Sequence, residues 1–162
     1  MATVCAASFA TPAAPTVTAA APPAAPSANT ASPNLPDNPA SLLGLTLAQL
    51  LATFGTPDTV YPVRGPEAWQ DDVVFHYPDG FSFFIFRDRV WQLRLDTTYH
   101  GSIFGMFPGD STDKILAVLG APDTQTDDTW IYRLPEQGYP VRLRLSIADA
   151  KVEDFYVYRG DF

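Results

Sequence analysis

Apolar residues recur at helical spacing in two short stretches of the chain. In each, a polar residue able to cap a helix comes first, and a glycine and then a proline follow the last apolar position. Because helices of about two to three turns are not stable alone, we expect both to dock on a sheet. The apolar residues of the first stretch are Leu47, Leu50, Leu51 and Phe54, and a capping box from Thr46 to Gln49 begins it. The apolar residues of the second stretch are Ile115, Leu116 and Leu119, and Ser111 is its capping residue.

Alternating apolar and polar residues predict strands after each helix. Val141, Leu143 and Leu145 alternate with arginine and serine in the pattern of a half-buried strand. Short turns such as Pro78-Asp79-Gly80 require antiparallel pairing of the strands that they join. The predicted strands are 73–77, 81–86 and 90–95 after the first helix, and 129–134, 139–147 and 152–158 after the second.

The helical parts of the two segments correspond at an offset of 65 residues. Gly109-Asp110-Ser111 falls on Gly44-Leu45-Thr46, and Leu119 to Asp123 falls on Phe54 to Asp58. We therefore predict two repeats, at about 42–95 and 107–158. The predicted fold class is α+β: a tandem duplication of a helix plus a three-stranded antiparallel meander, with the helices on one face of the sheet. Whether the two repeats face inward as a clamp or lie side by side is left open.

Composition divides the chain near residue 40. Residues 1–40 are mostly Ala, Pro, Ser and Thr, with no charged side chain before Asp37. Such a segment cannot offset the entropy of ordering, so we expect a disordered tail or spacer. Residues 41–162 are rich in aromatic and aliphatic side chains, which predicts a single domain made of the two repeats.

The start of the chain resembles the end of an export signal. Small residues at Ser8 and Ala10 fit a cleavage site, so we expect an exported protein; an ordinary cytosolic tail is the alternative. Val4 argues against a lipoprotein anchor at Cys5, because the residue before a lipidated cysteine is normally small. A net charge of −8 argues against a nucleic-acid surface, and no apolar run is long enough to span a membrane.

The second segment resembles a known pattern. Gly109 to Pro122, followed by Trp130-Ile131-Tyr132, is similar to the G-x-[ST]-x-x-x-[VI]-x-x-x-L-G-x-P and W-x-Y signatures of the SmpA/BamE-like superfamily of bacterial envelope proteins. Two copies in tandem resemble the β-lactamase-inhibitor-protein and YjgB-like arrangements. The first segment departs from the pattern, with Val74-Phe75-His76 at the W-x-Y position. The resemblance implies an exported, noncatalytic module that binds another protein.

A comparison of the segments suggests a binding face. The alternation that buries Phe81, Phe83 and Ile85 leaves Phe84 and Phe86 on the side where the second segment carries arginines. Either these phenylalanines pack against other parts of the chain, or they belong to an exposed protein-binding patch. The candidate partner-binding residues are Phe84, Phe86, Arg94, Arg142, Arg144, Tyr156 and Tyr158, whereas Trp91, Trp130 and Tyr132 are expected in or near the core.

No catalytic or metal-binding constellation is evident in the sequence. His76 and His100 lack the context of a nucleophile and its base, and no zinc-ligand spacing occurs, so we expect no enzyme activity, metal or cofactor. Two alternatives stay open. One is a carrier or sensor of a small apolar ligand, with a pocket between the repeats lined by Phe84, Phe86 and Trp91. The other is a hydrolase that uses the pairs Asp71-Asp72 and Asp127-Asp128.

Overall fold

The computed structural model describes residues 34–65, 67 and 71–162, which belong to the compact unit Ala31–Phe162. The predictions for residues 1–33, namely the disordered tail, the cleavage site and Cys5, lie outside the described residues. Leu35 and Ala40 are buried in the hydrophobic core, so the packed structure begins upstream of residue 41.

Eight strands and two short helices make up the described chain, with a 3-10 helix before them. The 3-10 helix is Pro39–Leu42; the α-helices are α1 (Leu47–Phe54) and α2 (Thr112–Leu119); and the strands are β1 (Thr59–Val63), β2 (Asp72–Tyr77), β3 (Phe81–Phe86), β4 (Arg89–Leu95), β5 (Thr124–Gln125), β6 (Thr129–Leu134), β7 (Val141–Ala148) and β8 (Lys151–Arg159). Within the described residues neither helix has the length and apolarity needed to cross a membrane.

The eight strands form one antiparallel sheet, in the order β1-β2-β3-β4-β8-β7-β6-β5. The centre of the sheet is the pairing of β4 with β8, in which Gln92 lies opposite Tyr158 and Leu95 lies opposite Phe155. The predicted duplication of a helix plus a three-stranded meander is therefore wrong. Four strands follow each helix, and all eight belong to a single large sheet.

The two strands that the sequence analysis missed are the edge strands. All five residues of β1 are exposed and Pro62 lies within it, so this strand carries no alternation of buried and exposed positions. Proline is tolerated there because an edge strand has free backbone amides. The other edge strand, β5, has only two residues. The six inner strands were predicted to within two residues of their observed bounds because each buries alternate side chains.

Both helices begin and end at the predicted residues. The Thr46 hydroxyl accepts a hydrogen bond from the Gln49 amide, while the Gln49 side chain accepts one from the Thr46 amide, which confirms the capping box. The Ser111 hydroxyl caps α2 in the same way through the Lys114 amide. Each helix is also tied to the sheet: the Tyr77 hydroxyl donates to the Gly55 carbonyl oxygen, and the Tyr132 hydroxyl donates to that of Gly120.

The helices and the 3-10 helix contribute to a core on one face of the sheet. Phe54 of α1 packs its ring 5.0 Å from Phe83 and 5.8 Å from Phe81, measured between ring centroids. Cross-strand register places the core residues in two rows that run from β2 to β6. The rows are Phe75, Phe83, Leu93, Val157, Leu143 and Tyr132, and Tyr77, Phe81, Leu95, Phe155, Leu145 and Trp130, and all twelve side chains are buried. Trp130 and Tyr132 are core residues, as predicted.

Phe155→Ala should destabilise the protein by about 3–5 kcal/mol, because it opens a cavity where β8 joins β4 and β7. The free energy of unfolding from urea titration, followed by tryptophan fluorescence, measures this loss. Val118→Ala on the exposed side of α2 is the control, with an expected change within about 0.5 kcal/mol. Equal effects from the two substitutions would contradict the placement of the core.

Candidate functional site

The seven candidate residues lie on the opposite side of the sheet from the helices. We call this surface the open face, and none of the described helices covers it. Two cross-strand rows define its centre: Gln92, Tyr158, Arg142 and Arg133, and Ser82, Arg94, Tyr156 and Arg144. The structure therefore brings Phe84, Phe86, Arg94, Arg142, Arg144, Tyr156 and Tyr158 together, and each is half-buried. The core rows and the open face alternate along every inner strand.

Tyr156 lies between two arginines at the middle of the open face. The guanidinium carbon of Arg144 is 4.0 Å from the centre of the Tyr156 ring, and that of Arg94 is 5.9 Å from it. Arg94 also forms an ion pair with Asp154, at an N–O distance of 3.0 Å. Although burial alone favours the neutral form, Asp154 and Tyr156 raise the pKa of Arg94. Arg94 is therefore a fixed cation, held in place by both neighbours.

Arg142 and Arg144 have no carboxylate partner among the described residues. Arg142 donates only to the backbone oxygen of Val141, at 3.2 Å. Directly across the sheet it faces Arg133, whose own charge is paired with Asp123. Like charges opposite each other in a sheet cost stability. The Nε atoms of Arg94 and Arg144 are buried without a hydrogen-bond partner in the described structure, which adds a desolvation cost.

An aromatic cluster continues the open face beyond the arginines. Trp91 stacks on Phe162 at 5.6 Å between ring centroids and meets Phe84 edge-on at 6.3 Å. Phe86 meets the same Phe162 ring edge-on at 5.6 Å. We call Phe84, Phe86, Trp91 and Phe162 the aromatic cluster. The position of Phe84 and Phe86 on this side of the sheet is thus explained in part by packing, because Phe84 contacts Trp91 and Phe86 contacts Phe162. The cluster is still partly open to solvent, because Phe162 is 57% exposed.

Trp91 reaches the open face because of an irregularity in the pairing of β3 with β4. The register shifts between Phe84 and Ile85, so Trp91 is an extra residue on β4. Its indole N–H donates to the Asp72 carboxylate at 3.0 Å. Trp91 was expected in or near the core, and the structure places it half-buried on the open face instead. The spacing Val90, Leu93 and Leu95 is the signal of this bulge, because the apolar positions there are three and then two apart.

Sequence reasoning missed three further residues of the open face. Asp154 and Phe162 gave no pattern signal because their roles depend on contacts with β4, which is 60 or more residues away in the sequence. Arg133 was overlooked because it is an isolated cation on a predicted strand. Its position opposite Arg142 was readable only from the register of β6 and β7.

The acidic pairs do not converge, so they cannot form the proposed hydrolase site. Asp71 and Asp72 lie at the start of β2, whereas Asp127 and Asp128 precede β6. Five strand spacings separate β2 from β6, which is roughly 24 Å. Glycoside hydrolases need their two carboxylates within about 10 Å. Asp71 pairs with Arg64, and Asp128 accepts a hydrogen bond from Thr126, so local contacts account for both.

The histidines are placed as structural or surface residues. His76 shares a hydrogen bond of 2.9 Å with the Ser82 hydroxyl, but Ser82 is only 2% exposed, so a substrate has no access to that oxygen. His100 is exposed in the loop that follows β4. No group of three or more potential metal-ligating side chains lies together within the described ranges.

A cleft of about 680 Å³ opens beside His100, between the segment at Leu35 and the loop after β4. Asp37, Asp79 and Tyr99 also line it. Burial, together with Asp79 and Asp37, raises the pKa of Tyr99, while a backbone hydrogen bond to Leu35 opposes this. Phe84, Phe86 and Trp91 do not line this cleft, so it is not the apolar ligand pocket that the sequence suggested.

No protein-family model matches the sequence, and a search of curated proteins found no match. Solved structures with a similar fold include the following two. One is an extracellular protein containing an SCP domain from Bacillus anthracis, with a TM-score of 0.54 and 10% identity, over 83% of this chain and 49% of that one. The other is a cysteine-rich secretory protein from Staphylococcus aureus, with a TM-score of 0.43 and 12% identity, over 75% of this chain and 44% of that one. The chain thus spans about half the length of each protein.

These findings correct the resemblance to the SmpA/BamE-like superfamily in tandem. The structural similarity is to an extracellular protein that contains an SCP domain, and the single eight-stranded sheet is not the tandem arrangement that the signatures implied. The physical reason is that the signatures encode a capped helix, a glycine stop and two core aromatics. A helix that docks on a sheet needs those features in many folds.

Asp72→Asn should change how stability depends on pH. Burial raises the pKa of Asp72, the Trp91 hydrogen bond lowers it, and the Asp71 charge raises it, with a net rise. The folded state therefore holds the proton more tightly than the unfolded state, and this stabilisation is lost as the pH rises through the folded-state pKa.

We expect the free energy of unfolding of the wild type, measured relative to Asp72→Asn, to fall between pH 3 and pH 7. Urea titrations at several pH values measure the difference, and asparagine keeps an oxygen acceptor for the Trp91 indole. A difference that stays constant or grows with pH would contradict the buried setting of Asp72.

Proposed function

We propose that the chain is an exported, noncatalytic module that binds another protein through the open face of its sheet. The observation that carries this proposal is the gathering of three arginines and the aromatic cluster on the one side of the sheet that lacks a described helix. Tyrosine, tryptophan and arginine provide most of the energy at protein interfaces because they bury large areas at low entropic cost.

The energetics of the face also favour a binding role. Arg142 opposite Arg133, and the unpaired Nε atoms of Arg94 and Arg144, lower the stability of the isolated fold. A partner that places a carboxylate beside Arg142 would offset the like-charge repulsion between Arg142 and Arg133 at the interface. Folding alone gives no reason to concentrate cations on this face of a chain whose net charge is −8.

Export to the cell envelope or the extracellular space is the second part of the proposal. Its support is the small-residue pattern at Ser8 and Ala10, together with the likeness of the fold to an extracellular protein. The absence of enzyme activity is proposed because the acidic pairs are far apart and Ser82 is enclosed.

A photo-crosslinking amino acid at position 158 should capture a protein from the envelope or culture fluid of the producing organism. The same group at position 117, exposed on α2 on the other side of the sheet, is the matched control. We expect a discrete adduct from position 158 and none from position 117, since only the first lies on the open face.

The captured protein, once purified, should bind the double variant Arg142→Glu and Arg144→Glu at least tenfold more weakly than the wild type. Circular dichroism and thermal unfolding establish that the variant is folded. Equal adducts from both crosslinker positions, or unchanged affinity of the double variant, would place the interface elsewhere.

A further inference from the structure

We infer that the partner of the open face is an acidic protein segment with an aromatic side chain, and that its ring takes the place that Phe162 holds on Trp91. This inference rests on the proposed function and specifies the chemistry of the partner. It is carried by charge complementarity and by the aromatic contact that the chain makes with itself.

The Trp91 surface is suited to an aromatic ring. Phe162 stacks on the indole with an angle of 22° between the ring planes, and Phe86 closes the side of this position at 87° to Phe162. This position therefore suits a flat ring, which contacts the Trp91 indole with its face and the Phe86 ring at one side. Because Phe162 remains more than half exposed, the ring of a partner can displace it at small cost in buried area.

Cations surround this aromatic position. The guanidinium carbon of Arg87 is 5.0 Å from the centre of the Phe86 ring, and that of Arg159 is 4.9 Å from the centre of the Phe162 ring. Arg142 and Arg144, without carboxylate partners in the described structure, lie two strands away. A partner with carboxylates next to its ring would therefore meet complementary charge in both directions.

The chain itself shows the chemistry that fits. Phe162 follows Asp161, whose carboxylate pairs with Arg159 at 2.8 Å. Hydrogen bonding to Arg159 lowers the pKa of Asp161, so the carboxylate is charged at neutral pH. An acid and an aromatic ring in sequence thus already occupy the edge of the open face.

The spacing of the strands sets the distance between the aromatic ring and the carboxylate of the partner segment. Trp91 is on β4 and Arg142 is on β7, with β8 between them, which is about 10 Å across the sheet. An extended chain advances about 3.3 Å per residue. A segment that crosses the strands therefore reaches Arg142 with a carboxylate about three residues from its aromatic ring.

A fluorescein-labelled peptide tests the inference directly on the full chain. The probe has one phenylalanine, glutamates at the third and fifth positions after it, and serine elsewhere. Fluorescence anisotropy at low and high salt measures its Kd. We expect it to bind at least tenfold more tightly than the same peptide with alanine for phenylalanine or with lysine for glutamate, and to weaken as salt increases.

Variants of the chain provide the matched comparisons. Arg142→Gln with Arg144→Gln should weaken peptide binding at least tenfold, whereas Lys114→Gln, which removes a charge from α2 on the other side of the sheet, should change it less than twofold. Phe162→Ala should tighten binding several-fold because it removes the competing ring. Phe107→Ala, at another exposed phenylalanine, is its control and should have no effect.

The inference is overturned if the alanine peptide binds as well as the phenylalanine peptide, or if Phe162→Ala has no effect. It is also overturned if vesicles of anionic lipid or a short single-stranded DNA bind through the same arginines as tightly as the peptide. A crosslinked partner at position 158 together with no peptide binding would refute the acidic aromatic segment and leave the proposed function standing. If neither a crosslinked partner nor peptide binding is observed, both the acidic aromatic segment and the proposed function are refuted.

Discussion

The antiparallel pairing of β4 with β8 is the contact on which the rest of the structure depends. It joins two groups of four strands into one sheet, so Leu95 meets Phe155 and the two core rows run without interruption from β2 to β6. The same pairing places Arg94 of β4 beside Tyr156 and Asp154 of β8. Without it, each group of strands would expose an additional edge and the open face would be divided.

The two faces of the sheet have different physical roles. One face carries twelve buried residues in two rows and receives Phe54 and Ile115 from the helices, so it supplies most of the apolar burial. The other face carries half-buried arginine and aromatic side chains, beside the buried residues Val74 and Ser82. The described helices pack against the first face, and none of them covers the second. Its unpaired guanidinium nitrogens are a cost that the core has to offset.

The likeness to an extracellular SCP-domain protein concerns the fold, because the identity is 10%. The shared fold does not assign the activity of that protein to this chain, because function depends on the side chains that a fold carries. The proposed binding role therefore rests on the side chains of the open face.

The sequence alone determined the local structure. Capping residues, glycine stops and the alternation of six strands were sufficient to locate both helices and every strand that buries a face, because these features depend on neighbours in the chain. The alternation also indicated that Phe84, Phe86, Arg142 and Arg144 share a side of the sheet. Edge strands escaped prediction because β1 has no buried side and β5 has two residues.

Only the tertiary structure decided how these pieces join. The β4–β8 pairing, the bulge that moves Trp91 to the open face and the stacking of Phe162 on it all bring together residues distant in sequence. Such contacts leave no periodic trace, because their geometry is set by register and by the packing of the whole sheet. The strand pattern thus predicted part of the composition of the open face. Only the fold decided that these residues form one continuous surface and that Arg142 and Arg144 have no carboxylate partner among the described residues.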